Sequence, residues 1–400
     1  MRTLTRPVLP YLLAAGCSLS LVPTSAQSAE WLLDHGLRTY GLFSDNRLLR
    51  LSNTRLSVGS ITEGTAKLTR RTERSELTLA PKVITQHYWG DQRIIDSDDY
   101  QVDATAVLLG ERWQANGDFG WRKDTTRATE FGNDEIGLID AQARRERWTA
   151  RPSVSYSLTE RSSASLQLGF EQVDYAASAT SNLTPYVLYD AGVSLQHQLS
   201  ERTGVNASLF VQRFRPEDNL FGLRSETETR QLTVGASHAI SPSLSFSVSV
   251  GGRETRLRRL FQGVSFARSR SRGLVYTLDA EQQLERGALT GSLSRSVSPS
   301  ATGQSVDRFN AQVSLRYRLD QHLTSYSSAR YRGETDPGSD GRDNVDAFFN
   351  LSSGLYWRVE EQWTLFSAWR YRAQKGAGQS TRTRNELVLG VSYSGEQMQW

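Results

Sequence analysis

The chain has 400 residues, with 47 Lys and Arg against 43 Asp and Glu, and a mean hydropathy of −0.50. This near-neutral balance argues against bulk attraction to nucleic acid. The single cysteine, Cys17, lies close to the N-terminus, so a mature chain that starts after it has no disulfide and no thiolate metal site. No run of about 18 apolar residues follows, which excludes a transmembrane helix.

Residues 1–26 have the features of an export signal. Arg2 and Arg6 precede a short apolar stretch, and Thr24-Ser25-Ala26 supplies small residues for cleavage, as does Ala26-Gln27-Ser28. Two alternatives are open: the segment stays as an N-terminal anchor, or Cys17 is lipidated. The sequence therefore predicts a signal peptide at 1–26.

From about residue 37 onward, apolar and polar residues alternate. The clearest case is 308–319, where the odd positions from Phe309 to Leu319 are apolar and the even positions from Arg308 to Arg318 are polar. Successive side chains of a strand point to opposite faces, so each such segment is a strand with one apolar face. Many in succession, with no helical period between them, are typical of a β-barrel rather than a soluble sandwich.

The predicted connections alternate in length. Short polar turns fall at 110–112, 159–161, 200–202, 241–243, 285–287, 320–321 and 360–361. Longer polar loops fall between them at 90–99, 123–145, 216–225, 253–272 and 335–342. Short periplasmic turns and long external loops are the outer-membrane rule. We expect one all-β, antiparallel transmembrane barrel of 18 strands with both termini in the periplasm. This outer-membrane barrel would occupy residues 37–400, after a short periplasmic segment at 27–36. Sixteen is the alternative if the segments near 37–43 and 55–68 are not strands.

The C-terminus carries the expected assembly signal, the terminal aromatic Trp400. Met398 fits the same pattern, but the apolar alternation from Leu387 to Tyr393 has the opposite parity. A β-bulge near Gly395 would reconcile the two.

With these features the chain resembles Gram-negative outer-membrane β-barrels. More narrowly, Phe43-Ser44-Asp45-Asn46 and the many hairpins turned by Arg and Glu resemble porin-like barrels associated with exopolysaccharide export. The resemblance implies a place in the outer membrane of a Gram-negative bacterium. The implied partners are outer-membrane lipid and lipopolysaccharide, the barrel-assembly machinery and glycan solutes, with no nucleic acid.

The inward parity of the last strands carries a series of arginines. We expect these to line the pore and to attract anionic solutes: Arg316, Arg318, Arg330, Arg332, Arg370, Arg372 and Arg384. The alternative is that they hydrate the lumen and pair with inward carboxylates such as Glu386.

Two loops are further candidate sites. Glu130, Asp134 and Glu135 would form an acidic constriction loop if the loop at 123–145 folds inward, and an ordinary external loop otherwise. The seven arginines within 253–272 would bind lipopolysaccharide phosphates or an acidic glycan, or else only keep the loop soluble.

No catalytic, metal or cofactor site is predicted. The five histidines are scattered, and neither a G-x-S-x-G elbow nor an H-E-x-x-H motif occurs. The sequence therefore favours a porin-like channel for hydrophilic, anionic or polysaccharide solutes. The alternative is a non-conducting barrel that docks with an exopolysaccharide secretion system, and an enzyme is not favoured.

Overall fold

The structure, a computed structural model, describes residues 29–400 except 53, 92, 127–142, 177–182, 219–221, 300–304, 336–345 and 377–379. The described residues form a single antiparallel sheet. The predicted signal at 1–26, with Cys17, lies outside them. Across the described ranges, no helix is long and apolar enough to cross a membrane.

The strands have similar lengths except for a long group in the middle of the chain. Their bounds are β1 Glu30–Ser44, β2 Ser57–Arg71, β3 Ser75–Trp89, β4 Ser97–Leu109, β5 Trp113–Thr125, β6 Arg144–Thr159, β7 Ser162–Tyr175, β8 Tyr186–Ser200, β9 Thr203–Pro216, β10 Leu223–Ser241, β11 Leu244–Phe261, β12 Val264–Leu284, β13 Gly287–Pro299, β14 Ser305–Arg318, β15 Leu323–Thr335, β16 Asp346–Arg358, β17 Trp363–Lys375, β18 Arg382–Ser394 and β19 Met398–Gln399.

From β1 to β18 each strand pairs with the next, and β1 also pairs with β18, which closes the sheet. The two-residue β19 continues β18 along the same edge of β1. The predicted 18-stranded barrel is therefore confirmed. The two segments whose absence would have reduced the strand number to 16 are present as β1 and β2. The predicted start at residue 37 is too late, because β1 already begins at Glu30. Residues 32 and 33 do not alternate in polarity, yet their backbones pair with β2 on one side and with β19 on the other.

The two faces of the wall differ as the alternation predicts. On β18, Leu387 and Leu389 point outward and are 44% and 48% exposed. The residues that alternate with them, Glu386 and Val388, point inward and are each 1% exposed. On β14, Val313 is 53% exposed on the outer face. The barrel thus presents an apolar surface to its surroundings and a polar surface to its lumen.

One short turn shows how local hydrogen bonds fix the hairpins. Between β14 and β15, Asp320 Oδ1 accepts hydrogen bonds from the backbone N–H groups of His322 and Leu323, both at 2.7 Å. These donors hold the pKa of Asp320 below its usual value, because they favour the ionised carboxylate. The side chain thus replaces part of the turn's own backbone bonding.

The predicted loop at 253–272 is wrong: this segment is a β-hairpin. β11 and β12 continue past their neighbours and meet at a two-residue turn, in which Gln262 and Gly263 have φ values of 47° and 83°. Two consecutive left-handed residues are the mark of a type I′ turn, which matches the twist of the flanking strands. The strands were missed because their charged residues interrupt the apolar alternation.

The predicted bulge near Gly395 is confirmed. Gly36 pairs with Ser394, whereas Leu33 pairs with Met398, so the C-terminal strand contains one more residue than β1 at this point. A side chain on Gly395 would collide with the His35 ring. After the bulge, Met398 and Trp400 are 48% and 61% exposed. Trp400 is therefore exposed, as are the outward residues Leu387 and Leu389 of β18.

We predict that deleting residues 398–400 lowers assembly of the barrel. The deletion removes β19 and the two backbone hydrogen bonds between Trp31 and Trp400, at 3.0 and 3.1 Å, which join the two ends of the sheet. The measurement is the folded fraction by heat-modifiable gel migration after expression. Replacing Trp400 with Ala alone separates the aromatic ring from the backbone pairing. Unchanged yield in both variants would place the assembly signal elsewhere.

Candidate functional site

The inner wall of the late strands carries a row of polar residues in register. Strand pairing brings these side chains opposite one another from β14 to β18: Gln312, Arg330, Asn350, Arg372 and Arg384. One step along the lumen, Arg370 lies opposite Glu386. Because every second residue faces inward, register alone gathers several arginines on one side of the lumen.

Glu386 is the centre of this cluster. Its Oε2 accepts hydrogen bonds from Arg47 Nη1, at 2.9 Å, and from Arg384. Its Oε1 accepts from Arg370 Nη1 at 3.0 Å. Arg372 lies opposite Arg384 in the next strand. Guanidinium groups stay charged in proteins, so among the described residues of this cluster four positive charges surround one buried carboxylate.

Arg47 belongs to the connection between β1 and β2, which turns into the lumen. Asn46 Nδ2 donates to the backbone carbonyls of Arg50 and Thr383, both at 2.9 Å. Arg384 Nη1 donates to the carbonyl of Arg47 at 3.2 Å. We call residues 45–50 the inward segment.

Further contacts fix both ends of the inward segment. The Asp45 carboxylate accepts from the backbone N–H and the side-chain Nδ2 of Asn385, both at 2.8 Å. Leu48 and Leu49 are 6% and 4% exposed. The segment is thus held by polar contacts to β18 and by burial of its two leucines.

A hydrogen-bonded chain extends from Arg47 to the early strands. Arg47 Nη2 donates to Tyr88 Oη at 2.8 Å, and the guanidinium lies 5.3 Å from the centre of that ring. Tyr88 Oη donates to Gln86 at 2.7 Å, and Gln86 Nε2 donates to Asp99 at 2.6 Å. Arg144 Nη1 donates to the same carboxylate at 3.0 Å. The inward segment therefore links β18 to β3 over the inner faces of β1 and β2, and Asp99 extends the hydrogen-bonded chain to Arg144 of β6.

The arginines border a cavity of about 350 Å³ inside the barrel. Among the described residues, Arg47, Arg330, Arg370 and Arg372 line it, together with one carboxylate, that of Glu63. Glu63 already accepts from Lys82 Nζ at 2.9 Å and from Tyr40 Oη at 3.2 Å. The rest of the described lining is uncharged, with hydrogen-bonding groups and three apolar side chains: Tyr40, Gln86, Gln312, Tyr326, Ser328, Asn350, Ser352, Leu42, Ile61 and Ile84.

The wall formed by β5 to β7 is balanced by contrast. Arg145 forms a two-pronged bond to Asp124, at 3.0 and 2.9 Å, and Arg147 Nη2 donates to Glu171 at 2.8 Å. Asp124, Arg145, Arg147 and Glu171 are all buried, and Glu171 also lies 4.0 Å from Arg151. Among the described residues, the arginines that outnumber their carboxylates in the lumen are those of the late strands and the inward segment, an uneven distribution that we call the lopsided lumen.

The structure sorts the seven predicted pore-lining arginines into three groups. Arg330, Arg370 and Arg372 line the cavity. Arg332 and Arg384 are buried, at 5% and 1% exposure. The last two lie exposed near the short-turn end, outside the cavity: Arg316 and Arg318.

The other predicted site residues lie away from this cluster or outside the described chain. Glu130, Asp134 and Glu135 fall within 127–142, so the acidic constriction loop stays a prediction. Trp400 lies at the junction between β19 and β1. Among the described residues, no group of three or more His, Cys, Asp or Glu could hold a metal ion.

Sequence reasoning missed Arg47, Tyr88 and Gln86. Parity places strand residues on a face, but Arg47 lies in a connection, whose path parity does not determine. The signal available was Asp45-Asn46 directly after a strand, because both residues cap turns through their own side chains. Here the Asn46 side chain instead bonds Thr383, which lies 337 positions away in the sequence. That distant bonding was not readable from the local sequence.

Comparisons with known proteins add a likeness of shape. No family model matches the chain, and no curated protein matches its sequence. Among solved structures, Pseudomonas aeruginosa OccK7 (OpdD) aligns with a TM-score of 0.48 at 12% identity, over 92% of this chain and 99% of that one. Pseudomonas aeruginosa OpdQ aligns with a TM-score of 0.47 at 9% identity, over 92% and 99%. Acinetobacter baumannii OccAB4 aligns with a TM-score of 0.44 at 12% identity, over 93% and 99%. Likenesses this distant carry no argument about function, which rests on the geometry of this chain.

Proposed function

We propose that the chain is a channel in the outer membrane of a Gram-negative bacterium and that it conducts small hydrophilic anions. The membrane location is supported by a closed sheet whose outward residues are apolar and exposed. Many charged side chains of the same strands are turned inward and buried, among them Arg147, Arg332 and Glu386. An apolar outer face can contact lipid chains, and a closed sheet leaves no strand edge with unpaired backbone groups in the hydrocarbon.

The observation that carries the solute class is the lopsided lumen. Among the described residues, four arginines and one already-bonded carboxylate border the cavity, and the Glu386 carboxylate behind it is shared by three guanidinium groups. A diffusing anion would find a positive potential and hydrogen-bond donors here, whereas a cation would be repelled. Guanidinium forks match carboxylate and phosphate groups, so organic acids, phosphate esters and acidic sugars are the expected solutes.

We predict that replacing Arg330, Arg370 and Arg372 together with Ser lowers the ratio of anion to cation permeability. The lost potential is screened over about 10 Å at 0.1 M salt and about 3 Å at 1 M, so the effect should be clearest at low salt. The measurement is the reversal potential in planar bilayers under a salt gradient.

The matched control removes three arginines from the short turns instead: Arg161, Arg202 and Arg286. It changes the net charge equally and should leave the selectivity as it was, because these residues are exposed at the rim. A conducting triple Ser variant with native selectivity would overturn the assignment. A native pore that prefers cations would also overturn the assignment. That result would instead support a constriction loop formed by Glu130, Asp134 and Glu135.

One observation favours the alternative, a docking barrel that accompanies exopolysaccharide secretion without conducting. The inward segment crosses from β18 to β3 and occupies part of the lumen. If it closes the passage, purified barrel that is folded by gel shift should give no conductance steps, and a variant lacking residues 46–50 should open. Conductance by the native protein would exclude this alternative.

A further inference from the structure

The β10–β12 sheet carries a charged surface on its outer side, directly beyond the apolar residues. Strand register arranges the outward side chains in rungs of three. The last apolar rungs contain Val234, Val250 and Tyr276, then Leu232, Gly252 and Leu274. Leu232 and Leu274 are 59% and 52% exposed. The outer face is thus apolar up to this rung and charged from the next rung onward.

The next three rungs each hold two arginines and one glutamate. They are Arg230, Glu254 and Arg272, then Glu228, Arg256 and Arg270, then Glu226, Arg258 and Arg268. Of the seven arginines expected at 253–272, five therefore share this outer face. Arg253 has inward parity instead and donates to the buried Asp307. We call the four central residues Arg256, Arg258, Arg268 and Arg270 the arginine patch.

Two pairs of arginines lie opposite each other within the arginine patch, and among the described residues a carboxylate bonds one of these pairs. Arg256 lies directly opposite Arg270, and Arg258 lies directly opposite Arg268. Like charges at directly opposed positions of an antiparallel pair destabilise it. Glu254 bonds Arg256, at 2.8 Å, and Arg270, which covers the first of the two pairs. Glu226, on the rung of the second pair, contacts Arg224 at 3.3 Å and Arg213 at 3.9 Å.

The same residues form a recess. The arginine patch, with Arg213, Glu226 and Glu228, lines a cavity of about 470 Å³ on this sheet. It lies at the end of the barrel where β11 and β12 meet, which is the end with the longer connections. In an outer-membrane barrel that end faces outward. The patch would then lie at the height of the phosphate groups of the outer leaflet.

We propose that the arginine patch binds the phosphate groups of a phosphorylated outer-leaflet lipid of the lipid A type, with its acyl chains against Leu232, Val234, Val250 and Leu274. The guanidinium groups would bind the phosphates by forked hydrogen bonds, and the bound phosphates would offset the repulsion between opposed arginines. Apolar rungs below charged rungs fit an amphiphile better than a soluble polyanion. The inference depends on the proposed membrane location but not on conduction.

The test is binding of bisphosphorylated lipid A to detergent-purified full-length barrel, measured by native mass spectrometry. The variant R256Q/R258Q/R268Q/R270Q should bind at least about tenfold more weakly, because even one lost charge-assisted hydrogen bond is worth about that factor. The control R112Q/R161Q/R202Q/R286Q removes the same charge from short turns at the opposite end and should bind like the native protein.

Two further probes separate the sources of phosphate. Lipid A stripped of both phosphates should bind the native barrel as weakly as lipid A binds the patch variant. Inositol hexakisphosphate, a soluble polyphosphate, should compete poorly. Equal binding by native and patch-variant protein would overturn the proposal, and so would strong competition by the soluble compound, which would assign the patch to a soluble polyanion.

Conductance of the same variants distinguishes the two proposals. The patch lies outside the lumen, so the variant should conduct with native selectivity whether or not it binds lipid A. Loss of lipid binding with normal conduction is the expected result. Normal lipid binding by a protein that never conducts would reject the channel and keep the lipid site.

Discussion

Replacing Glu386 with Gln should lower the free energy of unfolding by about 3–5 kcal/mol. Removing one partner of a buried ion pair leaves uncompensated buried charge, and the cost has about that size. Here the carboxylate is 1% exposed and bonded to Arg47, Arg370 and Arg384, so three guanidinium groups would lose their shared acceptor. Urea titration of the barrel in lipid vesicles, followed by tryptophan fluorescence, measures the change.

Glu281→Gln is the matched control. Glu281 lies on the inner face of β12 but is exposed, so its replacement should change stability by no more than about 0.5 kcal/mol. Removing Arg384 together with Glu386, as R384Q/E386Q, should recover part of the loss, since fewer unneutralised charges remain. Equal effects of the two Glu-to-Gln changes would show that water and counterions already screen the Glu386 cluster.

Replacing Val313 with Arg should cost about 2–4 kcal/mol, the value for an arginine on the lipid face of a barrel near the mid-membrane. Val313 is 53% exposed on the outer face, between Gly291 of β13 and Ala329 of β15. Gln312→Arg, one residue away, should be nearly neutral because Gln312 lines the lumen cavity. The same urea titration compares them, and reversed costs would mean that the inner and outer faces are exchanged.

The sequence predicts most of the barrel because an outer face of apolar residues produces a pattern that can be read locally. Residues 308–319 alternate strictly, and β14 follows with the expected faces. The pattern fails where the outer face is no longer apolar. Beyond Leu274, β12 continues with Arg272, Arg270 and Arg268 outward, so the strand is intact although its apolar alternation has ended. Hydrophobic periodicity therefore predicts the extent of the apolar face and not the length of the strand.

The candidate site was predictable only in part, for a similar reason. The inward parity of Arg330, Arg370 and Arg372 follows from alternation, and the structure places all three around one cavity. The role of Arg47 depends on tertiary hydrogen bonds, such as those of Asn46 to Thr383 and of Asp45 to Asn385. No local rule links residues so far apart in the chain, so the inward segment became visible only in the folded structure.

The junction between the chain ends has a consequence for quality control during biogenesis. Trp31 and Trp400 exchange backbone hydrogen bonds beside the pairing of β1 with β18, so the sheet closes between its first strand and its last strands. A chain that lacks β18 and β19 leaves a row of unpaired amides along β1, and each such group costs several kcal/mol in hydrocarbon. For a barrel in the proposed membrane location, insertion would therefore select against chains truncated before β18.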